Sequence, residues 1–179
     1  MSGIEQGAES FWRFSLALYG VKPVAEACLR LQDRDGLDVN LLLYLCWAGS
    51  RGTRFDSGQV GALIAETEGW RREVVRPLRR ARRALKGFAA PGLAEAAAEL
   101  RGRIKRDELE SERLQQRLMV SWHCPAEGAA DPAASAHNLA AYLEAARAGA
   151  TESQRDLAAL LRGAVPGLTE ADALTLLES

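Results

Sequence analysis

Histidine and cysteine are scarce in this 179-residue chain, which has two of the first and three of the second. His123 and His137 alone leave little room for acid–base work by imidazole. A structural zinc site normally takes four protein ligands. His123 and Cys124 are adjacent, but Cys28 and Cys46 lie far from them in sequence and no CxxC pair occurs. Both of those thiols sit in apolar helical patterns, which reads as reduced, buried cysteine in a reducing compartment. On this basis no metal and no cofactor is expected.

Long apolar runs are also missing. The longest, Leu41 to Ala48, falls far short of the roughly 20 residues that span a bilayer. The first ten residues carry Glu5 and Glu9, with no basic region or following apolar stretch, so a secretory signal is not expected and the reading is a cytoplasmic protein. With a net charge of −1 the chain has no global field to draw nucleic acid or membrane. It lacks a glycine-rich phosphate loop, a nucleophile-elbow serine, and any helix-turn-helix, zinc-finger or RNA-recognition signature. No catalytic residue is assigned, and the balance leans away from an enzyme. Neither period-two alternation nor a fixed-period repeat is present, so no sheet and no solenoid is expected.

What is present is helical spacing, at an ordinary globular composition of 47% hydrophobic and 26% charged residues. Phe11, Phe14 and Leu18 make one stripe, with Trp12 and Leu16 beside it; Gly20 stops it. Pro23 opens a second helix with Val24, Ala27, Cys28 and Leu31 on one face. Asp38 is an N-cap for Val39–Ala48, a helix apolar nearly all round that belongs at the centre of a bundle. Asp56 or Ser57 caps a helix bearing Val60, Leu63 and Ile64, with a break or bend expected at Gly69. Trp70–Lys86 is strongly amphipathic, and Pro77 either kinks it or begins a new helix. Leu93–Trp122 has the spacing of one long helix with a seam through Leu93, Ala97, Leu100, Ile104, Leu114, Leu118 and Trp122. The charge-dense stretch Arg103–Glu112 predicts a break or an exposed stretch there. Short helices over 133–148, 152–161 and 170–177 follow, the last capped by Thr169. The fold class is all-α, a compact bundle of about six to eight helices. The aromatics concentrated in the first three helices read as core.

Charge is segregated along the chain. Residues 66–86 hold eight basic groups against three acidic ones, a net of +5, and seven of the eight are arginine. Residues 123–179 hold eight acidic groups against three basic ones, a net of −5. A solvated face, or one docked on the acidic C-terminal region, accounts for the arginines without function. The functional reading is an anion-binding surface, because arginine makes bidentate contacts with carboxylate and phosphate. Arg72, Arg76, Arg79, Arg80 and Arg83 are its candidates. An acidic protein is the favoured partner, with anionic lipid and nucleic acid as the other candidates; nucleic acid is the weakest, since no aromatics are interleaved in the basic face.

A second cluster, Gln32, Asp33, Asp35, Asp38 and Asn40, crowds into nine residues. Oxygen ligands of this kind bind hard cations, but the spacing of Gly36 and Tyr44 does not fit an EF-hand. Turn chemistry explains most of the composition. Asn40 is the exception: in the first turn of so apolar a helix it needs hydrogen-bond partners.

Three blocks carry a resemblance. They are Phe11-Trp12-Arg13-Phe14-Ser15-Leu16-Ala17-Leu18-Tyr19; Ala27 to Asp33 followed by Gly36 and Asp38 to Leu43; and Trp70 followed by Val74 to Arg79. In this order they resemble a bacterial family of small uncharacterised helical proteins, a conserved domain of unknown function. The resemblance covers roughly Phe11 to Trp122 and brings no activity with it. It implies Gln32, Asp33, Asp38, Asn40, Arg76 and Arg79 as site residues. It also suggests a family domain over 8–124 and a C-terminal helical extension over 125–179, packed on it or variable. Two readings follow. In one, the arginine-rich helix of an interaction or regulatory module binds an acidic partner. In the other, Asp33, Asp38 and Asn40 meet Arg76 and Arg79 beside a cavity and hold a metal or a phosphorylated ligand. The oligomeric state is open.

Overall fold

In the computed structural model, which describes residues 3–88, 90–147 and 151–178, the described chain is helices and loops with no strand. The helices are α1 (Gly3–Tyr19), α2 (Lys22–Asp35), α3 (Val39–Gly49), α4 (Ser57–Trp70), α5 (Arg76–Ala84), α6 (Ala94–Trp122), α7 (Pro132–Ala145), α8 (Thr151–Ala164) and α9 (Glu170–Leu177). The expectation that the helix over 133–148 reaches Ala148 lies outside the described residues, as do Met1 and Ser2 of the N-terminal stretch.

The expected centre is α3. Asp38 caps it, its carboxylate accepting the Asn40 backbone N–H at 2.9 Å, and every residue from Asn40 to Gly49 is buried. A helix apolar on all sides loses least by giving all of them up to neighbours, and α1, α2, α6, α7 and α8 pack round it. Phe11 stacks on Trp47 and meets Tyr44 edge-on, and Tyr44 continues the cluster to Phe55. Gly49 lets α7 approach, since a Cβ there would sit 2.3 Å from the Ser135 backbone. Beyond Cys124 the chain supplies core: Leu139, Leu157, Leu160 and Leu161 are fully buried, α7 lying on α3 and α4 and α8 on α2.

Two local expectations give way, and a third resolves between its alternatives. Gly69 does not break the helix. The chain stays helical from Ser57 to Ala84, with one π-helical turn at Arg71–Val75 where the Arg76 N–H donates to the Arg71 carbonyl, five residues back. Pro77 then falls in the first turn of α5, where its missing N–H does no harm. Over Arg103–Glu112 there is no break, and it is the other alternative that holds: most of the stretch is exposed. The helix α6 runs unbroken because its charges divide, Glu108 turning inward and Lys105, Arg106, Asp107 and Glu110 outward. Finally, the seam of α6 does not pass through Leu114, which is exposed. It passes through Glu108, Ser111, Gln115 and Met119.

Candidate functional site

The buried asparagine finds its partners on α6. Asn40 donates from Nδ2 to Gln115 Oε1 (2.8 Å) and accepts at Oδ1 from Gln116 Nε2 (2.9 Å). Gln115 in turn donates to Asp38 Oδ2 (2.7 Å), and the Ser15 hydroxyl lies 3.5 Å from Gln116 Oε1. Arg71, carried on the π turn, closes the far end: its Nε lies 3.4 Å from Asp38 and it donates to the Gly36 carbonyl. A π turn of this kind re-aims the side chains on either side of it. The result is a satisfied polar chain from α4 through α3 and α6 to α1, in a core that tolerates no unpaired polar group.

Next to it stands an ionic cluster between α5 and α6. Arg79 donates to Glu108 (3.0 Å), to Glu112 (2.5 Å) and to the Gln32 side-chain carbonyl. Arg82 grips the same Glu108 with two nitrogens. Arg83, further out, pairs with Asp33 at 3.0 Å. Burial by itself pushes the Glu108 carboxyl up, but the hydrogen bonds from Arg82 and Arg79 outweigh it and hold it below the ordinary glutamate value. For Glu112 the balance reverses: burial raises it more than Arg79 lowers it, and Glu108 and Asp38 add to the rise. Two carboxyl groups on one arginine are thereby driven apart, one kept ionised and the other able to take a proton more readily. Tyr19 is likewise raised, chiefly by burial, with Cys28 and Glu112 adding to it.

Chain and cluster face one cavity of about 310 Å³, at the small end of the range for ligand sites. Trp12, Leu16, Tyr19, Leu29, Leu43 and Leu109 contribute to an apolar wall. The rest of the lining is polar or charged and includes Ser15, Gln32, Asn40 and Gln116 with Arg79, Arg82, Arg83, Lys105, Glu108 and Glu112, four cations against two carboxylates. Such a surface can hold an anionic head while covering an apolar body, and can exchange a proton at Glu112.

Of the residues expected from sequence, Gln32, Asn40, Arg79 and Arg83 line this cavity. Asp33 stands behind Arg83 as its counter-charge, and Asp38 supports Asn40 from within. Arg72, Arg76 and Arg80 do not reach it. All three are exposed; Arg72 pairs with Glu73 (2.6 Å) and Arg76 with Glu68 (3.4 Å), while Arg80 has no ion pair among the described residues. The basic face does not dock on the acidic C-terminal region. Those acids serve other arginines: Asp156 holds Arg30 and Arg34, Asp131 holds Arg54, and Glu127 faces Arg51. Glu108, Glu112, Gln115 and Gln116 escaped sequence reasoning. The available signal was polar residues at 108, 111 and 115, where the periodicity from Ala97 and Ile104 calls for apolar ones. No group of three His, Cys, Asp or Glu placed to hold a metal occurs among the described residues, and no described helix is long and apolar enough to cross a membrane.

Fold and site together define an all-helical bundle whose α5–α6 ion cluster forms one side of a partly apolar cavity. The chain belongs to the family described as protein of unknown function (DUF2390), whose model matches residues 10–119. Every residue lining the cavity falls inside that segment, and α7 to α9 fall outside it. No curated protein and no solved structure matches the chain.

Proposed function

We propose that the protein is a binding module for a small amphipathic anion, a carboxylate or phosphate monoester on an apolar body, held in the cavity between α1, α2, α5 and α6. The observation that carries this reading is convergence: Gln32, Asn40, Arg79 and Arg83 come from distant stretches of sequence to one cavity whose lining is partly apolar and net cationic. Arg82, Arg83 and Lys105 would meet the head group, with Arg79 fixed between its glutamates as a positioning residue. The apolar body would lie on Trp12, Leu16 and Leu109. The phosphate form of the reading has cations to support it; the metal form has no ligand cluster among the described residues.

The test is thermal stabilisation by octanoate and octyl phosphate, with octanol and inorganic phosphate as controls. A ligand at about 100 times its Kd adds about 2.7 kcal/mol to stability. Saturable stabilisation by the two amphiphiles but not the controls is expected, reduced in Lys105→Gln plus Arg83→Gln, both exposed positions. Absence of stabilisation by either amphiphile, or a response that Leu109→Glu leaves intact, would sink it.

A second reading rests on different residues. Arg72, Arg76 and Arg80 present an outward cationic face of the π turn and α5, and their exposed ion pairs with Glu73 and Glu68 are worth little and exchange readily. An acidic protein surface is the partner such a face fits. Loss of a captured partner on Arg76→Glu plus Arg80→Glu, with the amphiphile response retained, would support this reading. A partner still captured by that double variant would refute it.

A further inference from the structure

The least buried part of the chain is the hairpin that joins α5 to α6. Helix α5 has no buried residue, and over 94–107 of α6 only Ala97 is buried. At the turn, Gly87 and Gly92 both take left-handed backbone, φ +76° and +74°. Between and beside them the chain holds Phe88 and Leu93 in water, 47% and 54% exposed, and Leu100 follows on α6 at 40%. Large apolar side chains at the tip of an exposed hairpin contribute nothing to the core. The same segment is basic: from Arg83 to Arg106 there are six cationic groups against two acidic ones, a net of +4. Lys86, Arg103 and Arg106 are exposed and have no ion pair among the described residues.

We infer that this hairpin is a docking arm for an anionic lipid surface, with Phe88 and Leu93 entering the acyl boundary and Lys86, Arg103 and Arg106 meeting the head groups. Each half of the pattern selects against the other occupants. A second copy of the chain would bring its own net +4 arm against this one. A nucleic acid would satisfy the cations but leave Phe88 and Leu93 in water, and no further aromatics are interleaved for stacking. A membrane interface takes both, since its head groups attract cations and its acyl boundary accepts apolar side chains a few ångströms deep. The arm adjoins the proposed anion cavity, which Arg83 and Lys105 line, but none of Lys86, Phe88, Leu93, Arg103 and Arg106 lines it.

Sedimentation of the full chain with vesicles tests this, comparing phosphatidylcholine alone with a phosphatidylcholine–phosphatidylglycerol mixture at low and high salt. Binding to the anionic vesicles only, weakened by salt, is expected. Arg103→Gln plus Arg106→Gln is expected to weaken it about 25-fold, two basic groups at the surface each being worth about a factor of five. Phe88→Ser plus Leu93→Ser, at positions too exposed to affect folding, is expected to weaken it by a comparable factor. No binding to anionic vesicles overturns the proposal. So does binding that the Phe88/Leu93 pair does not alter, because adhesion would then be purely ionic, or tighter binding to a single-stranded RNA oligonucleotide than to the vesicles.

Discussion

Glu108 balances two arginines and is itself buried, so Glu108→Gln leaves the half-buried Arg79 and Arg82 with too little counter-charge. Breaking a buried pair from one side costs about 3 kcal/mol or more, and a fall of that size in urea-unfolding stability is expected at neutral pH. Asn40→Leu is expected to cost a similar amount, about 3 kcal/mol, because Gln115 and Gln116, both buried, each lose a partner. A loss under about 1 kcal/mol would mean that water enters the polar chain. The two glutamates also give stability a distinctive pH course. Glu112, raised by burial, binds its proton more readily folded than unfolded, so acidification from neutral through its folded pKa adds stability. Glu108, Asp33 and Asp131 are lowered, so their contribution is present above the ordinary carboxylate range and is lost as pH falls through their folded values. Stability measured against pH is expected to peak between the raised titration of Glu112 and the lowered ones of Glu108, Asp33 and Asp131, and Glu112→Gln to remove the rise toward that peak.

Between elements, the decisive contacts are a close approach and a change of helical phase. The Ser135 backbone occupies the space a side chain on Gly49 would need, so Gly49→Ala must push α7 off α3, at about 2 kcal/mol or more. The π turn sets the phase of α5. Because that turn already absorbs one extra residue, a further alanine inserted between Leu78 and Arg79, beyond it, should rotate the rest of α5 by about 100°, carrying Arg79 and Arg82 away from Glu108. Circular dichroism is expected to show helix content retained, while thermal unfolding moves to markedly lower temperature. An unchanged transition would show that α5 and α6 do not depend on this ion cluster.

For the whole molecule, α7, α8 and α9 complete the core round α3, although the family match ends at residue 119. Removing residues 125–179 uncovers α3 where Leu139 and Tyr142 lay, and α2 where Leu157 and Leu161 lay. The truncated chain is expected to bind a hydrophobic dye and lose its near-ultraviolet circular dichroism while keeping helix, the behaviour of a molten globule. A cooperative unfolding transition in that fragment would instead make 8–124 a domain in its own right.

Local patterns in the sequence are enough for the helices, for the central place of Val39–Ala48, for the caps at Asp38 and Thr169 and for Phe11, Tyr44 and Trp47 as core, though not for Trp12 and Tyr19, which line the cavity, because capping and burial periodicity depend on neighbours one to seven residues away. They also marked Asn40 as needing partners and set Gln32, Arg79 and Arg83 among the candidates. They did not reveal that Arg79 meets Gln32, Glu108 and Glu112 while Arg72, Arg76 and Arg80 face water. That depends on the phase of α5 after the π turn and on which face of α6 it meets. A dense charge run looks like a solvated stretch until an oppositely charged helix lies against it, and only the tertiary structure decides that, because it alone sets which distant charges lose their water together.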